Sequence, residues 1–340
     1  MNSFLTGLYF LLGLTNPETD RAILIEKFIA EKKEAKAILA YTAEYRAVRL
    51  FYFPGTTDSN ALIVGGVHGS ELSSTELAYE LIAKLSGGSR PKYNTWIIPS
   101  LFPDNAADAA AIPAEIGSVK NIGRLTYAGA TDPNRQMPSL GKAFNSEKPL
   151  DNAGRPIEME NQLLLGLVQQ VRPERIAMLH SIRDTKMAGI FADPRTDCEG
   201  LALGYQTDSI TAVETAVTIH QLGGNVSGNH LQKKPTSLYY LDPAIAAAGT
   251  RQRRNLKPGP TGTGVSMGSW GSTAVCAEDE NLQRQACILF TVEFPGSRRP
   301  GDYHNRTDRK KCEQDMQAYS TGLCKVFLEC SGTNTSGPVR

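Results

Sequence analysis

"GGVHGSELSSTELAYELI", running from Gly65 to Ile82, decides how the chain is read. The apolar run "ALIVGGV" leads into it from Ala61. A helix-like stretch, Glu71–Leu85, leads out of it until "GGSRP" stops it. Strand, glycine-rich corner and helix in this order make an α/β unit. His68 and Glu71 stand three residues apart inside the corner. Open α/β sheets place ligands at the carboxyl ends of their strands. The glycines let the backbone turn sharply, so both side chains can face one spot. The competing reading is an ordinary turn, with Glu71 a first-turn acid favoured by the helix dipole.

Outward from this corner the same alternation continues. "AVRLFYF" (Ala47–Phe53), "NTWIIPS" (Asn94–Ser100), "RIAMLHS" (Arg175–Ser181) and "ACILFTVEFPG" (Ala286–Gly296) are strand-like. Pro17–Lys36, Glu158–Gln170, Ala212–Leu222 and Asp308–Glu329 read as helices. Residues 104–150 and 233–271 read as irregular, and long irregular stretches in a compact domain are usually functional. The expectation is one α/β domain with a central mixed β-sheet flanked by helices. It spans residues 39–329, after an N-terminal helical extension (1–38) and before a disordered tail (330–340).

The bulk numbers narrow the function. The 340 residues carry a formal net charge of +1, with 41% hydrophobic and 21% charged residues. Such a balance suits a globular protein and argues against a nucleic-acid partner. None of the six cysteines forms a C-x-x-C pair, which argues against a cysteine zinc cluster. Five of them follow residue 275, a clustering that suits one or two disulfides or buried free thiols equally. The apolar stretch Phe4–Leu14 is too short to span a bilayer. No Lys or Arg precedes it, so it reads as a packed helix rather than a signal. Stable membrane insertion is not expected. Cytoplasmic and periplasmic or secreted locations both stay open, as does the oligomeric state.

His68 and Glu71 gain weight from two other positions. His180 ends a second strand, and Glu293 lies near the end of a third. A hydrolytic zinc site takes three protein ligands and keeps one position open. A further carboxylate is then needed as a base. His68, Glu71, His180 and Glu293 supply that complement.

With these residues in place, the chain resembles the zinc metallocarboxypeptidase family of the carboxypeptidase A type. "GGVHGSE" resembles its H-x-x-E zinc motif and "IIPSLFPDNAAD" its P-x-x-NPDG segment. "TDPNRQMP" resembles the D-x-NRNFP substrate motif, "MLHS" the segment of the third ligand, and "FTVEFPG" the strand of the catalytic glutamate. The matches run in family order over residues 61–296.

The resemblance implies Zn2+ held by His68, Glu71 and His180, with Glu293 as general base. It implies that Asn134 and Arg135 grip the substrate carboxylate and that Arg124, or alternatively Lys120, polarises the scissile carbonyl. The family's substrate-capping tyrosine has no clear counterpart. Tyr239 and Tyr240 lie too far upstream to align simply, and "GVSMGSWGS" with Trp270 stands in its place. That loop resembles the bacterial branch with murein peptide amidases. The implied substrate is therefore a peptide or muropeptide cut beside a free carboxylate, and Trp270 is a candidate contact.

Other readings compete. Gly264–Gly268 matches the G-x-S-x-G nucleophile elbow and would make Ser266 a nucleophile with His304 as partner. The preceding "NLKPGPTGT" is not a strand, which argues against it. "RQRR" at 251–254 reads as a solvated surface that could contact an anion. An acyl-amino-acid amidohydrolase of the succinylglutamate desuccinylase kind shares the H-x-x-E corner. A binding protein that has lost catalysis would lack a ligand or the base, and all four positions are present.

Overall fold

The computed structural model describes residues 17–126, 131–203, 206–231 and 264–331. The readings made on Phe4–Leu14, on Tyr239 and Tyr240, on "RQRR" and on residues 332–340 lie outside them. Among the described residues no helix is long and apolar enough to cross a membrane.

Seven strands build one sheet: β1 (Ala35–Tyr41), β2 (Ala47–Phe53), β3 (Asn60–Val64), β4 (Asn94–Ile98), β5 (Arg175–Ile182), β6 (Gly189–Asp193) and β7 (Ile288–Pro295). Their spatial order is β1-β2-β4-β3-β5-β7-β6. β4, β3, β5 and β7 run parallel, while β1, β2 and β6 are antiparallel to their neighbours. The sheet is therefore mixed and flanked by helices, as expected. Its parallel centre reads as unbroken apolar runs because both faces are covered. β3 and β4 show this most plainly, with Leu62, Ile63, Val64, Trp96, Ile97 and Ile98 fully buried.

One face packs against α1 (Pro17–Glu31), α4 (Met159–Val171) and the short α6 (Met267–Gly271). The other packs against α2 (Leu72–Ser86), α5 (Gln206–Gln221) and α7 (Arg306–Gly322). α1 belongs to the core: Phe28 lies 6.0 Å from the Tyr52 ring and 6.5 Å from the Trp96 ring.

Three elements differ from the sequence reading. The run Pro17–Lys36 breaks at Lys32, whose φ is +45°, and β1 begins at Ala35. Its "AKAILAY" is rich in helix formers, so pairing with β2 overrides local propensity. α3 (Pro103–Ala110) stands within the stretch read as irregular. β6 went unread because five residues at an edge carry little periodic signal.

Cys198 and Cys276 form a disulfide, while Cys287, Cys312, Cys324 and Cys330 are free thiols. The bridge joins the chain after β6 to the loop that leads towards β7.

Candidate active site

The corner after β3 turns because two of its residues have no Cβ. Gly66 has φ +64°, a conformation that favours glycine. A Cβ on Gly69 would stand 2.2 Å from the Asn105 carbonyl carbon, so α3 and the corner touch backbone to backbone there. Asn105 then donates its amide to the Leu125 carbonyl at 2.7 Å. Gly123 presses on the same Asn105. Thus the "FPDN" segment supports both the His68 corner and the loop that carries Arg124.

Glu71 separates a metal-binding corner from an ordinary turn. It sits at the N-cap of α2 but makes no capping bond with its side chain. Its carboxylate turns inward instead. Oε1 lies 2.9 Å from His68 Nδ1, and Oε2 lies 3.1 Å from His180 Nδ1. The Ser181 amide also donates to Oε2, and Arg124 donates to Oε1. The two imidazole rings stand 5.0 Å apart, centroid to centroid. A helix-dipole acid would point along the α2 axis towards solvent, whereas Glu71 is 5% exposed.

The donor atoms of His68, Glu71 and His180 all lie within 4.8 Å of one another, and all three residues are buried. Both histidines present Nδ1 to this centre. Their far nitrogens are occupied: His68 Nε2 meets Asp132 Oδ1 at 2.9 Å, and His180 Nε2 meets the Asn134 amide at 3.4 Å. Metal-ligating histidines are held in this way, with the outer nitrogen fixed by a second group. Two imidazole nitrogens and a carboxylate also suit zinc. The residues fit a divalent ion.

Asp132 escaped the sequence reading as a site residue, although it lies inside the quoted "TDPNRQMP". It orients His68 and accepts from the Asn134 amide at 2.8 Å. Arg124 lies 4.0 Å from its other oxygen.

Charges in the site follow from burial and neighbours. Burial opposes the charge on His68, but the carboxylates of Glu71 and Asp132 outweigh it and raise its pKa. Burial likewise opposes ionisation of Glu71, and His68 and His180 overcome it, holding the carboxyl well below its ordinary range. Asp132 is lowered against its own burial by His68, Arg124 and Arg135. Glu293 goes the other way. Its burial raises it, the nearby Glu71 carboxylate adds to this, and His180 only partly compensates.

These residues line one pocket of about 230 Å³. His180 pairs with Glu293 across β5 and β7, so their side chains share a sheet face. Arg124, Asn134 and Arg135 line the same pocket. Lys120, the alternative to Arg124, is exposed and does not line it. The Asn134 side-chain oxygen Oδ1 accepts from the Met267 backbone amide at 3.2 Å, which ties the site to the start of α6.

Trp270 requires correction. It is fully buried, its indole N–H donates to the Lys142 carbonyl at 2.9 Å, and Arg284 lies over its ring at 4.5 Å. It is a core residue without access to substrate. The loop that carries it does reach the pocket, through Ser266 and Gly268. Ser266 is the N-cap of α6, where its hydroxyl accepts from the Ser269 amide at 3.0 Å. Its ordinary capping role departs from the nucleophile-elbow geometry.

No protein-family model matches the chain. No curated protein matches it either. Solved structures do. Bovine thrombin-activatable fibrinolysis inhibitor, solved with a tick carboxypeptidase inhibitor, aligns with a TM-score of 0.46 at 14% identity, covering 92% of this chain and 98% of that one. A metallo-carboxypeptidase from Burkholderia cenocepacia aligns with a TM-score of 0.44 at 13% identity, covering 90% of this chain and 69% of that one. Both are likenesses of layout at low identity, so the chemistry rests on this site's own residues.

Proposed function

We propose that the protein is a zinc-dependent hydrolase that cleaves a peptide or amide bond beside a free carboxylate. The observation that carries this reading is the buried His68–Glu71–His180 group with Glu293 facing the same pocket. A zinc ion held by those three residues would polarise the scissile carbonyl and ease deprotonation of the attacking water.

The chain's own residues supply the rest. Glu293 takes the proton from the water and returns it to the departing amine. Its partial burial beside the histidines keeps it close to the reacting atoms and raises its basicity. Arg124, already at the Glu71 carboxylate, steadies the charge that develops on the carbonyl oxygen. Arg135 offers a guanidinium to the substrate carboxylate. A bacterial cell-wall peptide is the proposed substrate. Ser266 and Gly268 present small side chains to the pocket, and the capping tyrosine that the resemblance implies has no counterpart in their loop, which leaves room for an unusual stereocentre.

The test combines metal analysis with Glu293→Gln. About one zinc per chain is expected, lost in His68→Ala and His180→Ala. Glu293→Gln should keep the zinc and lose roughly 10²–10⁴-fold in kcat, the usual worth of a general base. A metal-free wild type with no response to added zinc would overturn the reading. So would near-normal turnover by Glu293→Gln.

A further inference from the structure

Two of the four free thiols, Cys324 and Cys330, lie against each other where the chain leaves α7. α7 runs off into a π-turn, Leu323–Phe327, that carries Cys324. Glu329 then takes a left-handed φ of +49° and reverses the chain. Lys92 meets its carboxylate at 2.7 Å and the Tyr93 hydroxyl donates to it at 2.6 Å, which keeps the reversal in place. The Cys330 amide thereby reaches the Cys324 carbonyl at 2.8 Å. On its other side, Ser331 exchanges two backbone hydrogen bonds with Arg90, at 2.8 and 3.0 Å. Cys330 is thus fixed from both neighbours.

In antiparallel pairs, mutual backbone hydrogen bonds go with Cα atoms roughly 5.5 Å apart. The bond between Cys330 and Cys324 sets a like separation, and a disulfide spans about 4.4–6.8 Å between Cα atoms. The side chains agree, because the Cys330 thiol donates to Cys324 Sγ. That hydrogen bond, with Ser89, Lys84 and Lys325 adding to it, holds the Cys324 thiol below its ordinary range against its burial. Cys324 is fully buried, while Cys330 is partly exposed. One sulfur of the pair therefore has thiolate character and the other is open to a reagent. The remaining free thiols differ. Cys287 donates to the Pro173 carbonyl at 3.0 Å, and burial raises its pKa. Burial also pushes Cys312 up to about 12.

We propose that Cys324 and Cys330 form a redox modification site, a dithiol that a small-molecule disulfide converts into a second intrachain disulfide. The oxidant reaches Cys330. Cys330 Sγ bonds to one oxidant sulfur, the oxidant's S–S bond breaks, and the departing small thiolate takes the Cys330 proton. Cys324 Sγ then attacks Cys330 Sγ and breaks the mixed disulfide, and the second small thiolate takes the Cys324 proton. Two protein thiols are oxidised, and one small disulfide is reduced to two thiols. The new ring encloses Phe327, which packs on the Phe290 ring at 5.1 Å and whose carbonyl accepts from Arg175 at 2.6 Å. The bond therefore locks the end of the chain onto the start of β5.

The test takes the intact protein after mild reduction that spares Cys198–Cys276. It is incubated with glutathione disulfide, and free thiols are counted after denaturation. The count should fall from the four free thiols to two, and peptide mass mapping should find Cys324 bonded to Cys330. The Tm should rise by roughly 2–5 °C. Cys324→Ser should instead keep glutathione on Cys330 as a lasting mixed disulfide. Cys330→Ser should keep its remaining free thiols and its Tm. A pair already bonded in the protein as isolated upholds the proposal. A wild-type count that stays at four overturns it, and so does a bond to Cys287 or Cys312, or a wild type that stops at the mixed disulfide. A bond that forms without a rise in Tm overturns the locking of Phe327. Should either variant fail to fold, the wild-type count and mapping decide alone.

Discussion

At the scale of the residue, position alone does not tell a ligand from the group that holds it. His68 and Asp132 meet at 2.9 Å, and the carboxylate fixes which imidazole nitrogen faces Glu71. Losing such a partner typically weakens metal binding 10- to 100-fold. Asp132→Ala should therefore bind zinc about that much more weakly in chelator competition, with most turnover recovered at saturating zinc. Unchanged affinity would mean that packing alone orients His68. A second carboxyl tests burial. Burial, with the carboxylates of Glu158 and Asp104 adding to it, pushes Glu160 up to about 7 from an ordinary 4.5. The folded state then holds a proton that the unfolded state has released. Stability falls as pH rises from about 4.5 to 7 and is lowest above 7. Glu160→Gln should remove that fall and stabilise the protein by about 1–3 kcal/mol at pH 8, with little change at pH 4.5. Urea unfolding at both pH values checks the sign.

At the scale of the element, the loops were the hardest part to read and carry most of the site. Asp132, Asn134 and Arg135 come from a short turn in which the Asp132 side chain caps the Asn134 amide. α6 enters the same region and receives the Asn134 side chain. The Cys198–Cys276 bridge joins the chain after β6 to the loop just beyond α6, 78 residues apart. Closing a loop that long stabilises a fold by roughly 2–4 kcal/mol, mainly through the unfolded state. Cys198→Ser with Cys276→Ser should lower the denaturant midpoint accordingly while leaving the zinc content intact. Loss of zinc in that variant would show that the bridge shapes the metal centre as well.

At the scale of the whole molecule, the sheet gathers side chains from far apart in the chain. Glu71 and His180 are 109 residues apart and meet at 3.1 Å. A bound ion that the unfolded chain cannot hold adds stability, about 2.7 kcal/mol at a hundred times its Kd. Chelation should therefore lower the Tm of the wild type and leave His68→Ala unchanged. Equal response of both proteins would place the chelator's effect outside this centre.

The sequence by itself determined the central strands and the helix after the corner, and it singled out His68, Glu71, His180 and Glu293, which line one pocket in the structure. Those segments carry long apolar runs or a full helical period, and the positions of the four residues at strand ends are visible without any contact. Only the tertiary structure decided the rest. β1 hides behind helix-forming residues and becomes a strand by pairing with β2. Trp270 looks like a loop aromatic until the core closes over it. Asp193 is one acid among many until β6 and β7 pair in register and turn it into the pocket. Burial and register belong to pairs of distant segments, and no single stretch of chain contains them.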